Sequence, residues 1–169
     1  DVQNSQLEWT GRKVTGSHTG TISLQEGNLV FEGDVLTGGN FTIDMSSIAC
    51  TDITDAETNA KLVGHLKSDD FFGVATHPKA SFTITKVESK TKNNYEVTGD
   101  LTIKGITNQV SFPATVSVKG GTVKAEANIT IDRSRFDVRF GSDSFFDNLG
   151  DKVIYDDFEL ALSLTARGV

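Results

Sequence analysis

From Tyr95 onward the chain alternates: Tyr95, Val97, Leu101 and Ile103 are apolar, while Glu96, Thr98, Asp100, Thr102 and Lys104 between them are polar. A period of two puts successive side chains on opposite faces of a strand, so this segment has one dry face and one wet face. Val110, Phe112, Ala114, Val116 and Val118 then alternate with Gln109, Ser111, Thr115, Ser117 and Lys119. After Gly120-Gly121, Val123, Ala125, Ala127, Ile129 and Ile131 repeat the pattern. Three consecutive meander strands joined by tight turns are predicted.

The same rhythm runs through the rest of the chain. Leu7 and Trp9 open a first strand, and Gly16 to Leu24 forms a second in which Ile22 and Leu24 share a face. Leu29, Phe31 and Val35 continue it, and Phe41, Ile43 and Met45 follow Gly38-Gly39. Phe82 and Ile84 mark another strand, and Phe158, Leu160, Leu162 and Leu164 mark the last, for about eight in all. Between Asp55 and Phe72 the period changes. Leu62 and Leu66 lie four apart with Ala60 and Val63 beside them, which predicts a short helix.

Two further segments echo each other, Ser68-Asp69-Asp70-Phe71-Phe72 and Ser142-Asp143-Ser144-Phe145-Phe146. Each lies between strand runs and begins with a residue suited to capping a turn. They are predicted to be capped turns that carry Phe pairs onto the open ends of the β structure, like lids.

Eight antiparallel strands with one dry face either form two packed sheets or close on themselves, and closure removes exposed edges. A membrane barrel needs apolar residues outside and a polar lumen. Here the polar faces are rich in Thr, Ser, Lys, Asn and Glu, so the apolar set belongs inside. Gly33, Gly99, Ala114, Ala125 and Ala127 are in phase with that set. Small residues there either leave room in a lumen or relieve crowding beside the eleven phenylalanines, and the pattern leaves both readings open.

The 169 residues contain no Pro- or Gly/Ser-rich linker, so a single domain over residues 1–169 is expected. No run of eighteen apolar residues exists to make a transmembrane helix. The net charge of -7, with sixteen Lys and Arg scattered among twenty-three acids, argues against nucleic acid as a partner. One cysteine, Cys50, allows no internal disulfide and is expected to be a small buried hydrophobe. The sequence begins at Asp1 and its one methionine is Met45, which fits either removal of a secretory signal or trimming. A periplasmic or secreted location is the expectation.

Candidate chemistry is sparse. His18, His65 and His77 show no metal-binding spacing, and no nucleophile elbow, P-loop or dinucleotide fingerprint occurs. His65 and Asp69, four apart, would share a helix face as an acid-base pair, although a local hydrogen-bonding pair is the preferred reading. Arg133, Arg135 and Arg139 form a basic run that would either meet an anionic head group or pair with Asp132, Asp137 and Asp143.

Several stretches together resemble the YceI-like family of polyisoprenoid-binding, or lipid-binding, periplasmic proteins. They are Phe41-Thr42-Ile43-Asp44-Met45-Ser46-Ser47-Ile48, the run from His65 to Phe72 followed by His77-Pro78 and Phe82, and the run from Tyr95 to Thr107. Phe112-Pro113 and Ile131-Asp132-Arg133-Ser134-Arg135-Phe136 complete the series. Asp137 stands where the family commonly has Gly, and the His18-Thr19-Gly20 region is tighter than the family's usual opening.

The resemblance implies an all-β, eight-stranded antiparallel lipocalin-like barrel with short capping helices and an elongated apolar tunnel. The expected ligand is a polyisoprenoid, quinone-like or fatty-acyl lipid, with no further cofactor, no metal and no catalytic residue. A homodimer is compatible with this picture. The expected lining is Phe31, Phe41, Ile43, Phe82, Ile84 and Leu101, together with Ile103, Phe112, Val116, Leu160 and Leu162. Phe71, Phe72, Phe145 and Phe146 are expected near the ends, with Arg133 and Arg135 as head-group candidates. An enzyme acting on a lipid-like substrate through His65 and Asp69, or a filled-core barrel that binds another protein, are the alternatives.

Overall fold

Eight strands follow the chain in order: β1 (Gln6–Lys13), β2 (Gly16–Glu32), β3 (Val35–Cys50), β4 (Lys79–Thr91), β5 (Asn94–Ile103), β6 (Ile106–Lys119), β7 (Thr122–Asp132) and β8 (Ile154–Arg167). Each pairs antiparallel with the next, and β1 pairs with β8, so the sheet closes into a barrel. These positions come from a computed structural model that describes residues 1–168. One α-helix, α1 (Ala56–Lys67), joins β3 to β4, as the change of period predicts.

The longest strands conceal their phase. Along β2 the inward residues change from even (Ile22, Leu24) to odd (Leu29, Phe31), because a bulge between Leu24 and Glu26 shifts the register against β3. Another irregularity between Ile84 and Lys86 does the same on β4, turning inward Ile84 into inward Val87. One extra residue on one strand of a pair reverses which side chains face in. Gly33, read from its phase as a lumen residue, instead sits in the β2–β3 turn at φ +62°, a left-handed conformation that glycine adopts without strain. Lys104 and Gly105, both at positive φ, make the two-residue β5–β6 turn.

Two seams in the barrel are short. β3 and β4 pair only over residues 40–44 and 79–83, and α1 spans the connection between them. β6 and β7 pair only over residues 114–119 and 122–127. A 3₁₀ turn over Arg133–Phe136 lies beside the remainder of β6, where Asn108 Nδ2 donates to the Arg135 carbonyl at 2.7 Å. Phe136 and Val138 are fully buried in this segment. Asp137 between them has φ 60° and ψ 27°, so the position where the family commonly carries Gly keeps a left-handed backbone here with a short polar side chain.

The first and last strands lie side by side, with Gln6 opposite Ser163 and the Asp1 nitrogen donating to the Thr165 carbonyl at 2.7 Å. Gly168 N–H donates to the Gly121 carbonyl, so both ends lie at the β6–β7 hairpin end. Lys104, in the turn at the opposite end, reaches the carbonyls of Asp69 and Asp137 at 3.3 and 3.0 Å and ties the α1 exit to the segment after β7.

Candidate functional site

Burial along β7 and β8 differs in a telling way. Inward positions of β7 are buried, among them Ala125, Ala127, Ile129 and Ile131. Those of β8, Phe158, Leu160, Leu162 and Leu164, remain half-buried although they face the same interior. Ile22, Phe41, Ile43, Phe82 and Ile84 share this condition. Apolar side chains that point inward yet stay partly accessible line a hollow that side chains do not fill, since interiors otherwise pack almost without voids.

The hollow has two parts. An upper cavity of about 350 Å³ lies under α1 and the segment after β7, and a lower one of about 90 Å³ runs toward the β6–β7 hairpin. Ile43, Leu101, Ile131 and Leu160 wall both, so the two are contiguous. Along β5 the wall passes from Ile103 through Leu101 to Val97, six residues or about 20 Å at the usual rise of a strand. The lower cavity is lined by apolar side chains alone.

Glycines make room by letting aromatic rings lie flat on the neighbouring strand. A Cβ at Gly20 would sit 2.6 Å from Trp9 Cζ2, one at Gly27 would sit 2.4 Å from Phe41 Cδ1, and one at Gly99 would sit 2.5 Å from Phe82 Cζ. The Trp9 indole also donates to the Ala49 carbonyl at 3.1 Å, which holds its ring against the wall. On the β6–β7 side, Ala114 faces Ala127 and Val116 faces Ala125, so no large side chain crosses the lumen from there. Gly99, Ala114, Ala125 and Ala127 thus leave space, whereas Gly33 serves the turn.

At the upper end His65, on the last turn of α1, stands edge-on to Phe71 and Phe140 with ring centroids 4.9 and 4.5 Å away. Its Nε2 is 3.1 Å from Asp70 Oδ2, and the pairing with Asp69 expected from helical spacing does not form. The helix stops at Lys67, and Ser68, in an extended conformation, turns its Oγ back to donate to the His65 carbonyl at 2.6 Å. Ser68 therefore closes α1 with its hydroxyl, while its carbonyl accepts from Phe71 N–H at 3.0 Å and opens the following turn, which puts Asp69 beyond the helical face.

The two Phe pairs have different fates. Phe71 is buried and Phe72 half-buried, and both wall the upper cavity, with the Phe72 ring 6.4 Å from Phe158. Phe145 and Phe146 are 39% and 48% exposed and border neither cavity. Their loop has no helix behind it. Ser142 and Ser144 hydroxyls donate to Asp156, which holds the loop against β8, while the Arg139 guanidinium lies 4.5 Å over the Phe145 ring on the outer surface.

The arginines also separate. Arg133 is buried, donating from Nη1 to the Val138 carbonyl at 2.8 Å, from Nη2 to Ile154 at 2.9 Å and from Nε to Tyr155 at 3.2 Å. Burial pushes its pKa down, with Asp156, Asp132 and Asp143 opposing. It forms part of the upper wall as a staple between the post-β7 segment and β8. Arg135 is exposed, and its contact is Asn108 on the outside, away from the cavities.

Of the remaining expected lining, Ile103 walls the upper cavity, and Phe41, Phe82, Ile84, Phe112, Val116 and Leu162 wall the lower one. Phe31 packs on the core without bordering either. Sequence reading missed Trp9, Lys13, Met45, Leu62, Leu66, Phe140 and Tyr155. Trp9 and Met45 were visible as inward strand residues, and the Leu62–Leu66 spacing marked the helix face that covers the mouth. Nothing in the sequence signalled that Phe140, 41% exposed, borders the mouth against His65 and Phe71.

Beside the mouth, Asp52 accepts from Cys50 Sγ at 2.9 Å and from Thr19 N–H at 3.2 Å, and pairs with His18 Nδ1 at 3.1 Å. The Cys50 thiol, followed by these partners, holds the Asp52 carboxyl below its ordinary range. Burial and the bond to Asp52 push the Cys50 thiol up, so Cys50 is a poorly ionised, enclosed thiol.

Residues 1–166 match the YceI-like domain. The chain belongs to this family. Among relatives, a UPF0312 protein of Pseudomonas putida strain W619 is 37% identical over 89 residues, covering 48% of this chain and 46% of that protein. Protein YceI of Escherichia coli O17:K52:H18 is 36% identical over the same share of each. The chain thus spans about half the length of the curated relatives it matches. The crystal structure of Burkholderia cenocepacia BcnA superposes with a TM-score of 0.77 and 25% identity, covering 98% of both chains. A polyisoprenoid binding domain from Saccharophagus degradans, implicated in plant cell wall breakdown, has a TM-score of 0.71 at 15% identity, covering 100% of this chain and 97% of that one, which shows the shared barrel. The YceI-like barrel here carries no helix among the described residues that is long and apolar enough to cross a membrane.

Proposed function

We propose that this YceI-like chain is a non-catalytic carrier that sequesters the tail of an isoprenoid, quinone-like or fatty-acyl lipid in its lumen. The observation that carries this reading is the ring of inward-facing but half-buried apolar residues around two contiguous cavities. An apolar hollow lowers stability in proportion to its size, and a hydrocarbon occupant restores the lost contacts. Burying a CH₂ contributes about 0.8 kcal/mol, so a tail of about a dozen carbons gains roughly 10 kcal/mol before ordering costs. The polyisoprenoid-binding domain with the same fold supports the ligand class. A periplasmic or secreted location accompanies the proposal, because a barrel that shields a tail from water suits lipid transfer across an aqueous gap.

Neither alternative gains support from the geometry. A filled-core barrel is at odds with the hollow, and His65 engages Asp70 in a surface pair beside two Phe rings. Gently purified protein examined by native mass spectrometry, then extracted with organic solvent, is expected to release a long-chain lipid. Ala127→Phe, which places a ring across the lower cavity, is expected to abolish binding of long-chain probes while circular dichroism stays unchanged. Absence of any co-purifying lipid together with no probe binding by the unaltered protein would overturn the proposal.

A further inference from the structure

The chain carries twenty-three Asp and Glu against sixteen Lys and Arg, yet no carboxylate side chain walls the upper cavity. Its ionisable wall residues apart from Tyr155 are basic: Arg12, Lys13, His18, His65 and Arg133. Four of these are engaged. Arg12 pairs with Glu159 at 2.7 Å, His18 with Asp52 and His65 with Asp70 at 3.1 Å each, and Arg133 is spent on three backbone carbonyls. The Lys13 ammonium has neither an ion pair nor a hydrogen bond among the described residues. Lys13 closes β1 opposite Ile154 of β8, and Tyr155 follows on the outward phase of that strand. Both side chains stand exposed at the rim of the cavity, with Tyr155 at 49%.

We infer that the lipid bound by this chain carries an anionic head group, a carboxylate or a phosphate, received at the mouth by Lys13. The inference rests on the carrier reading and specifies its ligand. A tail entering the lumen brings its head to this rim, where the charged end keeps contact with water and meets a cation with no competing acid in the wall. Arg12, His18 and His65 already face Glu159, Asp52 and Asp70, and Arg133 is taken up by carbonyls, so Lys13 is the wall cation left free among the described residues to meet an incoming anion. Because Lys13 is exposed, the ion pair is screened and its effect is modest, about threefold to tenfold in affinity. Arg133 and Arg135 do not take this part, the first being committed to carbonyls and the second lying outside.

Trp9, the single tryptophan, walls the same cavity and reports occupancy by its fluorescence. Delipidated protein would be titrated at low salt with palmitate and palmitamide, which share a chain length and differ in head charge, and with farnesyl phosphate and farnesol. The anionic member of each pair is expected to bind about threefold to tenfold more tightly, with the advantage lost in 0.5 M salt, on the order of a Debye length of a few Å. Lys13→Gln is expected to remove the advantage without changing palmitamide or farnesol affinity, and Lys13→Arg to keep it. Equal binding of charged and neutral members, or an advantage that survives in Lys13→Gln, overturns the head-group assignment while the carrier reading stands. Binding of none of the four overturns the carrier reading itself.

Discussion

The Phe82 ring lies across Gly99 on the adjacent strand so closely that a Cβ at residue 99 would come within 2.5 Å of Cζ and 2.4 Å of the Thr83 carbonyl oxygen. A backbone oxygen cannot swing aside as a side-chain tip can. Gly99→Ala is therefore expected to push the Phe82 ring into the lower cavity and to cost about 1–3 kcal/mol as overpacking. Urea denaturation measures the loss, and long-chain probe affinity should fall in the same variant. Unchanged stability would mean that β4 and β5 separate freely there.

The contrast between the two Phe pairs gives a second expectation. Phe71→Ala removes a buried ring from the upper wall and is expected to cost about 3–5 kcal/mol. Phe145→Ser combined with Phe146→Ser is expected to stay within about 0.5 kcal/mol per site, because both rings are surface groups. Thermal denaturation of the two variants side by side checks this.

Arg133 is expected to matter for stability and not for ligand charge. Arg133→Met leaves the carbonyls of Val138, Ile154 and Tyr155 without their donor, at about 1–3 kcal/mol for each one that water fails to reach. A loss of at least about 3 kcal/mol in denaturant unfolding is anticipated, with the preference for palmitate over palmitamide intact in whatever fraction folds. A stability loss below about 1 kcal/mol would contradict the stapling role.

Asp52 sets a pH dependence. Its folded-state carboxyl is held below the ordinary range, chiefly by the Cys50 thiol, so the unfolded chain takes up the proton first as pH falls. The stabilisation it confers is present above the unfolded pKa near 3.8 and disappears as pH drops through the lower folded value. Asp52→Asn is accordingly expected to be less stable than the unaltered protein at pH 7 and to converge with it at strongly acid pH. The raised, enclosed Cys50 thiol should react slowly with Ellman's reagent at pH 8, and faster in Asp52→Asn. A gap between the two proteins that widens toward acid would reverse the assignment.

Most of the barrel was legible because its inward residues obey a period of two that water enforces, and α1 because Leu62 and Leu66 do not obey it. What the pattern concealed has physical causes. Bulges near Gln25 and Thr85 reverse the phase within a continuous strand, so β2 reads as two pieces and the turn role of Gly33 is masked. The letters Ser-Asp-x-Phe-Phe occur twice, but only the copy that leaves a helix packed over the lumen is carried inward. Local sequence does not say what stands behind it. The His65 partner was misjudged by one residue because Ser68 ends the helix before Asp69. Lys13 was invisible as a mouth residue, since nothing local distinguishes one exposed lysine from another.

Finally, the meeting of β1 with β8 has a practical corollary. Residues 1 and 168 leave from the floor of the barrel, beside the Gly120-Gly121 hairpin and at the far end from α1. A fusion partner, resin linkage or tethering peptide attached at either point projects away from the opening. The protein can be immobilised on a sensor surface through these ends with its entrance turned to the bulk solution.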